Sequence, residues 1–167
     1  MSFERTTSQI LFDNGTHKCI SFTSLVKGEG IQANQFLIID HERAAVLDPG
    51  GDLTYVPLTM ELSRYTKLKN LDYVMASHQD PDIITSMPRW LVYTDAKVVA
   101  SKLWARFLPH LNSAFMSDRM KGNWEERLIE LSDTGQIIPL GESSIVAVPA
   151  HFLHSVGNFQ FYDPTAK

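Results

Sequence analysis

The sequence predicts an α/β fold. Three observations carry this: β-branched and aromatic runs gather at both ends of the chain, helically spaced apolar residues fill its middle, and strong turn signals stand between the segments. With 167 residues, 44% hydrophobic and 20% charged, the chain is long enough to bury one core. Residues 1–167 are therefore read as a single domain, without repeats, low-complexity stretches or linkers.

The segments at 18–26 (KCISFTSLV) and 34–40 (NQFLIID) are rich in β-branched and aromatic residues and predict strands. The glycines of KGEGIQA make a loop between them. A third strand is expected in AAVLDPGG (44–51), stopped by Asp48-Pro49-Gly50-Gly51. Helical spacing in YVPLTMELSRYTKL (55–68) is followed by a short buried strand in LDYVMAS (71–77). IITSMPRWLVY (83–93) predicts a helix kinked or broken by Pro88. AKVVAS (96–101) predicts a strand, KLWARFLPHL (102–111) an amphipathic helix ending near Pro109, and 112–128 a polar loop with helical turns. Short strands at 136–140, 143–150 and 158–163 close the chain. With no strand returning after Asp163-Pro164, the last one is expected at an open sheet edge, which native sheets usually protect. Either another chain covers it or the polypeptide is a fragment.

Several function classes are excluded by composition. A net charge of −4 disfavours nucleic acid, which calls for clustered Lys and Arg. No run approaches the ~18 apolar residues of a membrane span, and the first residues lack the pattern of a secretion signal. The lone Cys19 rules out an internal disulfide and a cysteine-cage metal site. A cytoplasmic protein is expected.

The chemistry concentrates at residues 76–83, ASHQDPDI. A strand ending at Ser77 presents His78 at its carboxyl end, where open α/β sheets bind their ligands. Asp80 precedes a proline and is extended, so it can cap a helix that begins at Pro81. Asp82 then lies in the first turn, at the positive end of that helix. One nitrogen and two oxygen donors converge, and a cation would relieve the repulsion of the two carboxylates. The same residues also admit a purely structural reading as cap, dipole partner and loop histidine. A second cluster, VPAHFLHSVGNF (148–159), puts His151 and His154 at another strand end, and two such ends in one small domain favour a shared metal site. His17, His41 and His110 lie in polar or amphipathic surroundings and are expected at a surface or interface.

Together, SHQDPDI and HFLHSVGNF, with GIQANQFLIID and VLDPGG upstream, resemble the metallo-β-lactamase superfamily. Within it, the resemblance is to the flavodiiron proteins and the oxygen-binding diiron proteins. It implies an αββα sandwich, incomplete at its C-terminus. Carried over from the family's H-x-E-x-D-H motif, His78, Asp80 and His154 would bind a first metal, with Asp80 where the family usually has glutamate. Asp82 would bind a second. Asp48 would support the site through its turn without binding metal, and His151 would lie beside the ligand set or on the surface. Position 83 is Ile where flavodiiron proteins often have His. The family's bridging aspartate and late histidine would follow Lys167, which implies C-terminal truncation, and the FMN domain of the flavodiiron proteins is expected to be absent.

The resemblance implies a non-haem protein with one or two iron ions that binds dioxygen, as an O₂ sensor or as an O₂ or NO reductase. Turnover would need an external electron donor, so a redox or signalling partner protein is expected, and the open edge suggests a homodimer. Whether the chain is an enzyme stays open. An alternative is a zinc-dependent hydrolase in which the metal acidifies a bound water, disfavoured by a carboxylate at position 80. A further alternative is a shortened domain without a full metal site that serves as an interaction module.

Overall fold

A computed structural model describes residues 7–111, 118–120 and 122–167. Two sheets face each other. The larger has seven strands in sequence order: β1 (Ser8–Asp13), β2 (His17–Phe22), β3 (Gln35–Asp40), β4 (Arg43–Leu47), β5 (Leu71–Met75), β6 (Lys97–Ser101) and β7 (Leu128–Leu131). Its first four strands pair antiparallel and its last four parallel. The smaller sheet is antiparallel, with β10 (Phe159–Tyr162) beside β9 (Ser143–Pro149) beside β8 (Gln136–Leu140).

Alternation along the strands builds two cores. On β3 and β4, Leu37, Ile39 and Val46 turn outward onto helix α1 (Asp52–Leu62) and Trp90 of α3 (Met87–Tyr93). Ile38, Ala45 and Leu47 turn inward and pack between the sheets against Ile138, Leu140, Ile145, Ala147 and Phe159. Strands apolar on both faces are what a sheet covered twice requires. Among the described residues the layers are therefore helix, sheet, sheet, with no helix over the smaller sheet. No helix among them is long and apolar enough to cross a membrane.

Several expectations change in detail. The helix expected at 55–68 begins earlier, at Asp52, and ends at Leu62. Pro88 does divide its segment: α2 (Pro81–Ile84) ends, and α3 restarts with that proline in its first turn, where a missing N–H costs nothing. The amphipathic helix of 102–111 is only α4 (Lys102–Ala105) followed by a 3-10 turn over Leu108–Leu111. Of the polar loop at 112–128, residues 112–117 and 121 lie outside the described residues. Two strands escaped the sequence reading. β1 is largely exposed, so no buried face marks it, and β7 follows the run Glu125-Glu126-Arg127, which masks its apolar residues.

The turn after β4 positions the site. Asp48 and Gly50 both adopt positive φ, 53° and 83°. Gly50 N donates to Ile83 O (2.8 Å), and Gly50 O accepts from Ser86 N (3.1 Å), so the turn grips α2 from above and below. A Cβ on Gly50 would meet Thr54 at 2.5 Å. Gly50→Ala is therefore expected to lower stability by about 2–3 kcal/mol through strain and overlap, measured by urea denaturation.

Candidate metal centre

β5 delivers His78 and the loop after β9 delivers His154 to one end of the sandwich. Asp80 occupies the N-cap position of α2 in an extended conformation, with Pro81 at the start of the helix. Its side chain makes no capping hydrogen bond. Instead, Oδ2 lies 3.1 Å from His154 Nε2 and 3.5 Å from His78 Nε2. The two rings meet edge to face with centroids 4.5 Å apart. Potential donor atoms of His78, Asp80 and His154 all lie within 4.8 Å of one another. Bonds of ~2.1 Å around one metal place neighbouring donors roughly 3–3.5 Å apart; the two Asp80 contacts already have that spacing, and a small inward movement of the histidines would close the group around a single first-row ion.

The orientation of these groups is supported from behind. Ser77 N donates to Asp48 Oδ1 (2.8 Å), and Ser77 Oγ donates to Asp48 Oδ2 (2.9 Å). The same Oγ lies 2.8 Å from His78 Nδ1. Burial pushes the Asp48 carboxyl above the ordinary carboxylate range, against the pull of both Ser77 hydrogen bonds and of His78, with nearby Asp82 adding to the rise. On the other side, Ser155 Oγ donates to Gln79 Oε1 (3.1 Å), and Gln79 Nε2 donates to Asp80 Oδ1 (3.2 Å). This chain ties the two donor-bearing loops together. Ser77, Gln79 and Ser155 were not singled out in the sequence; a hydroxyl immediately before His78 was the available signal for the first.

The remaining candidates fall elsewhere. Asp82 lines the same pocket as the three donors but stands apart from their cluster. Ile83 is 6% exposed and packs in an apolar cluster with Ala76, Ile84, Met87 and Leu91, so it offers only hydrocarbon to the pocket wall. His151 turns away, with Nε2 3.1 Å from Asp133 O and its ring against Phe159.

His110 is exposed, as is His41. His17, expected at a surface or interface, is instead 1% exposed. The register of β2 on β3 sets it opposite Asp40, and the two carboxylates that pair with it come from β3 and from the residue following β10. The last strand is indeed at an edge of its sheet. Even so, Phe159 N bonds Ser77 O (2.9 Å) at its start, and Asp163 holds His17 just beyond its end.

Comparison with known proteins gives a consistent assignment. The structure described as "Peroxy diiron species of chemotaxis sensor ODP" matches with TM-score 0.77 and 31% identity, over 95% of this chain and 60% of that one. The apo state of the chemotaxis sensor ODP from T. denticola matches with TM-score 0.74 and 33% identity, over 93% of this chain and 58% of that one. MEM-A1, a subclass B3 metallo-β-lactamase from a soil metagenome library, matches with TM-score 0.71 over 93% of this chain and 56% of that one. At 15% identity that likeness carries the fold alone. In sequence, "Putative diflavin flavoprotein A 4" of Synechocystis sp. is 33% identical over 96 residues, 54% of this chain and 16% of the relative. The chain thus spans about 60% of the solved sensor chains and a sixth of the flavoprotein. The fold is that of the metallo-β-lactamases. The family model described as "ODP family beta lactamase" matches residues 31–167, and the chain belongs to that family.

Proposed function

We propose that this chain is a non-haem iron protein that binds dioxygen, with His78, Asp80 and His154 holding the principal iron and Asp82 holding a second, weaker one. The observation that carries the reading is the convergence of two imidazoles and a carboxylate, from two separate strand ends, within 4.8 Å. Likeness to the chemotaxis sensor ODP at 31–33% identity supports iron and a sensing role over zinc. Imidazole and carboxylate are donors that suit iron.

Iron, when bound, supplies the electrons that dioxygen can accept. The protein's part is to hold and to admit. Asp80 contributes negative charge to a cation through Oδ2, and its other oxygen is fixed by Gln79. His154 and His78 each present Nε2 to Oδ2, at 3.1 Å and 3.5 Å. The open pocket around them, about 510 Å³, is lined in part by Ile31, Ala33, Phe36 and Ile83. A small apolar gas enters such a space without losing hydrogen bonds, and the volume far exceeds the roughly 30 Å³ of a water molecule. NO has the same access. Reduction of either gas would draw electrons from a partner protein, whereas sensing needs only a partner that reads the bound state. A second copy pairing at the β10 edge fits the same account.

Metal analysis of anaerobically purified protein, with visible spectra before and after air, tests the reading. Iron bound at one or two per chain, with an absorption band that grows on exposure to oxygen, is the expected result. Bound zinc and a silent spectrum would move the assignment to a metallo-hydrolase, and no metal at all to an interaction module. In an anaerobic Fe(II) titration, Asp82→Ala is expected to remove only the weaker of two binding events. Loss of the tighter event in that variant would overturn the assignment of Asp82.

A further inference from the structure

We propose that Ser77 is a positioning residue that selects the tautomer of His78, and that Asp48 dictates which way the Ser77 hydroxyl points. The inference rests on His78 being a metal ligand, as argued above, and adds how its free nitrogen is made available.

Asp48 accepts from both hydrogen-bonding groups of Ser77: Oδ1 takes the backbone N–H (2.8 Å) and Oδ2 the hydroxyl (2.9 Å). In its carboxylate form, the form that both Ser77 hydrogen bonds favour, it has no proton to return. The hydroxyl hydrogen is therefore committed to Asp48, and Ser77 Oγ can only accept from His78 Nδ1, 2.8 Å away. The imidazole must carry its proton on Nδ1. Its lone pair then lies on Nε2, the atom that faces Asp80 and His154. The competing arrangement, Nε2–H donating to Asp80 Oδ2, spans 3.5 Å and is too long to outweigh a 2.8 Å bond. Half-buried Asp48 thus acts on the ligand through one hydroxyl, the role that a carboxylate or carbonyl usually plays directly on a ligating histidine. Ser77 is itself held in place, because its carbonyl accepts from Phe159 N at 2.9 Å.

A substitution that keeps shape and reverses polarity isolates the effect. In Asp48→Asn the side-chain oxygen must still face the Ser77 N–H, which turns the amide N–H₂ toward Ser77 Oγ. The hydroxyl then becomes an acceptor on that side and donates to His78 Nδ1, leaving the proton on Nε2 and blocking the metal-facing atom. Asn tolerates the positive φ of 53° at this position at least as well as Asp, so the variant is expected to fold.

The test combines two readouts. Long-range ¹H–¹⁵N NMR of metal-free, ¹⁵N-histidine-labelled protein, at a pH where imidazole is neutral, reports the tautomer. Zn(II) titration by calorimetry reports affinity, with zinc as a redox-silent probe of the ligand set. Wild type is expected to show His78 protonated on Nδ1, and Asp48→Asn to show it on Nε2 with weaker zinc binding. Ser77→Ala should weaken zinc by about 10–100-fold, while Ser77→Thr, which keeps the hydroxyl, stays within a few-fold of wild type. Asp48→Asn retaining the Nδ1–H form, or Ser77→Ala binding zinc as tightly as wild type, would overturn the proposal. Zinc binding that survives His78→Ala would instead refute the ligand assignment, and the tautomer measurement would still decide the relay.

Discussion

His78→Ala and His154→Ala are each expected to abolish metal binding while leaving the fold intact. Each removes one of three donors that converge within 4.8 Å. Losing a hydrogen bond that merely supports a ligand costs about 10–100-fold in affinity, and deleting a donor outright should cost more. The side chain of His154 is 60% exposed, so its removal should change stability by no more than about 0.5 kcal/mol. Metal content after anaerobic loading and desalting, together with a thermal melt of the metal-free protein, checks both halves. His110→Ala is the proper control, since that residue is exposed and does not belong to the donor cluster. A His78→Ala protein that retained full metal content would show that the centre lies elsewhere.

The largest stability effect is expected at His17. Its two ring nitrogens face two different carboxylates: Nδ1 lies 3.0 Å from Asp40 Oδ1 and Nε2 lies 2.8 Å from Asp163 Oδ2. Only the imidazolium can donate to both. Asp40 Oδ2 also accepts from Glu142 N and Ser143 N in the β8–β9 turn, and Asp163 Oδ1 from Thr165 N and Ala166 N. The histidine therefore bolts the end of the larger sheet to the turn and the last strand of the smaller one. His17→Phe would take from two largely buried carboxylates the imidazolium they share, leaving Asp40 only the exposed His41 at 3.4 Å. Breaking a buried pair in this way costs about 3–5 kcal/mol, a fall in melting temperature on the order of 10 °C for a chain of this size. A loss below 1 kcal/mol would show that the bolt contributes little. The same burial disqualifies His17→Ala as a control for metal binding.

This network also predicts a pH window. Burial alone pulls the His17 imidazole down, but its hydrogen bonds to Asp163 and Asp40 overcome that and raise its pKa above the ordinary 6.5. Burial pushes the Asp40 carboxyl up, and hydrogen bonds from His17, Glu142 N and His41 bring it below 3.8. A raised imidazole contributes its stability fully below 6.5 and loses it as pH climbs through the folded-state value. A lowered carboxylate contributes above 3.8 and fails as pH falls through its own folded-state value. The stability difference between wild type and His17→Phe, from urea denaturation across pH 4–9, should be greatest in mildly acidic solution and shrink toward alkaline pH.

What the sequence determined by itself was local. Runs rich in β-branched and apolar residues announced β3 and β8 almost to the residue, and Asp48-Pro49-Gly50-Gly51 marked where β4 stops. The extended Asp80 followed by Pro81 located the start of α2 because proline restricts both its own φ and the residue before it. These signals act over a few bonds, so they survive without knowledge of the fold. The convergence of His78 with His154 was legible only as two strand ends and a family resemblance; the 3.1 Å approach of His154 to Asp80 joins residues 74 apart in the chain. Tertiary structure alone decided that Asp82 stands outside the donor cluster, that Ser77 mediates between Asp48 and His78, and that His17 is buried. The polar stretch Gly15-Thr16-His17-Lys18 reads as surface. The partners that reverse this reading are Asp40 across a strand pair and Asp163, 146 residues away. A charge can be buried only where its counter-charges are brought to it, and that arrangement belongs to the folded chain rather than to any segment of it.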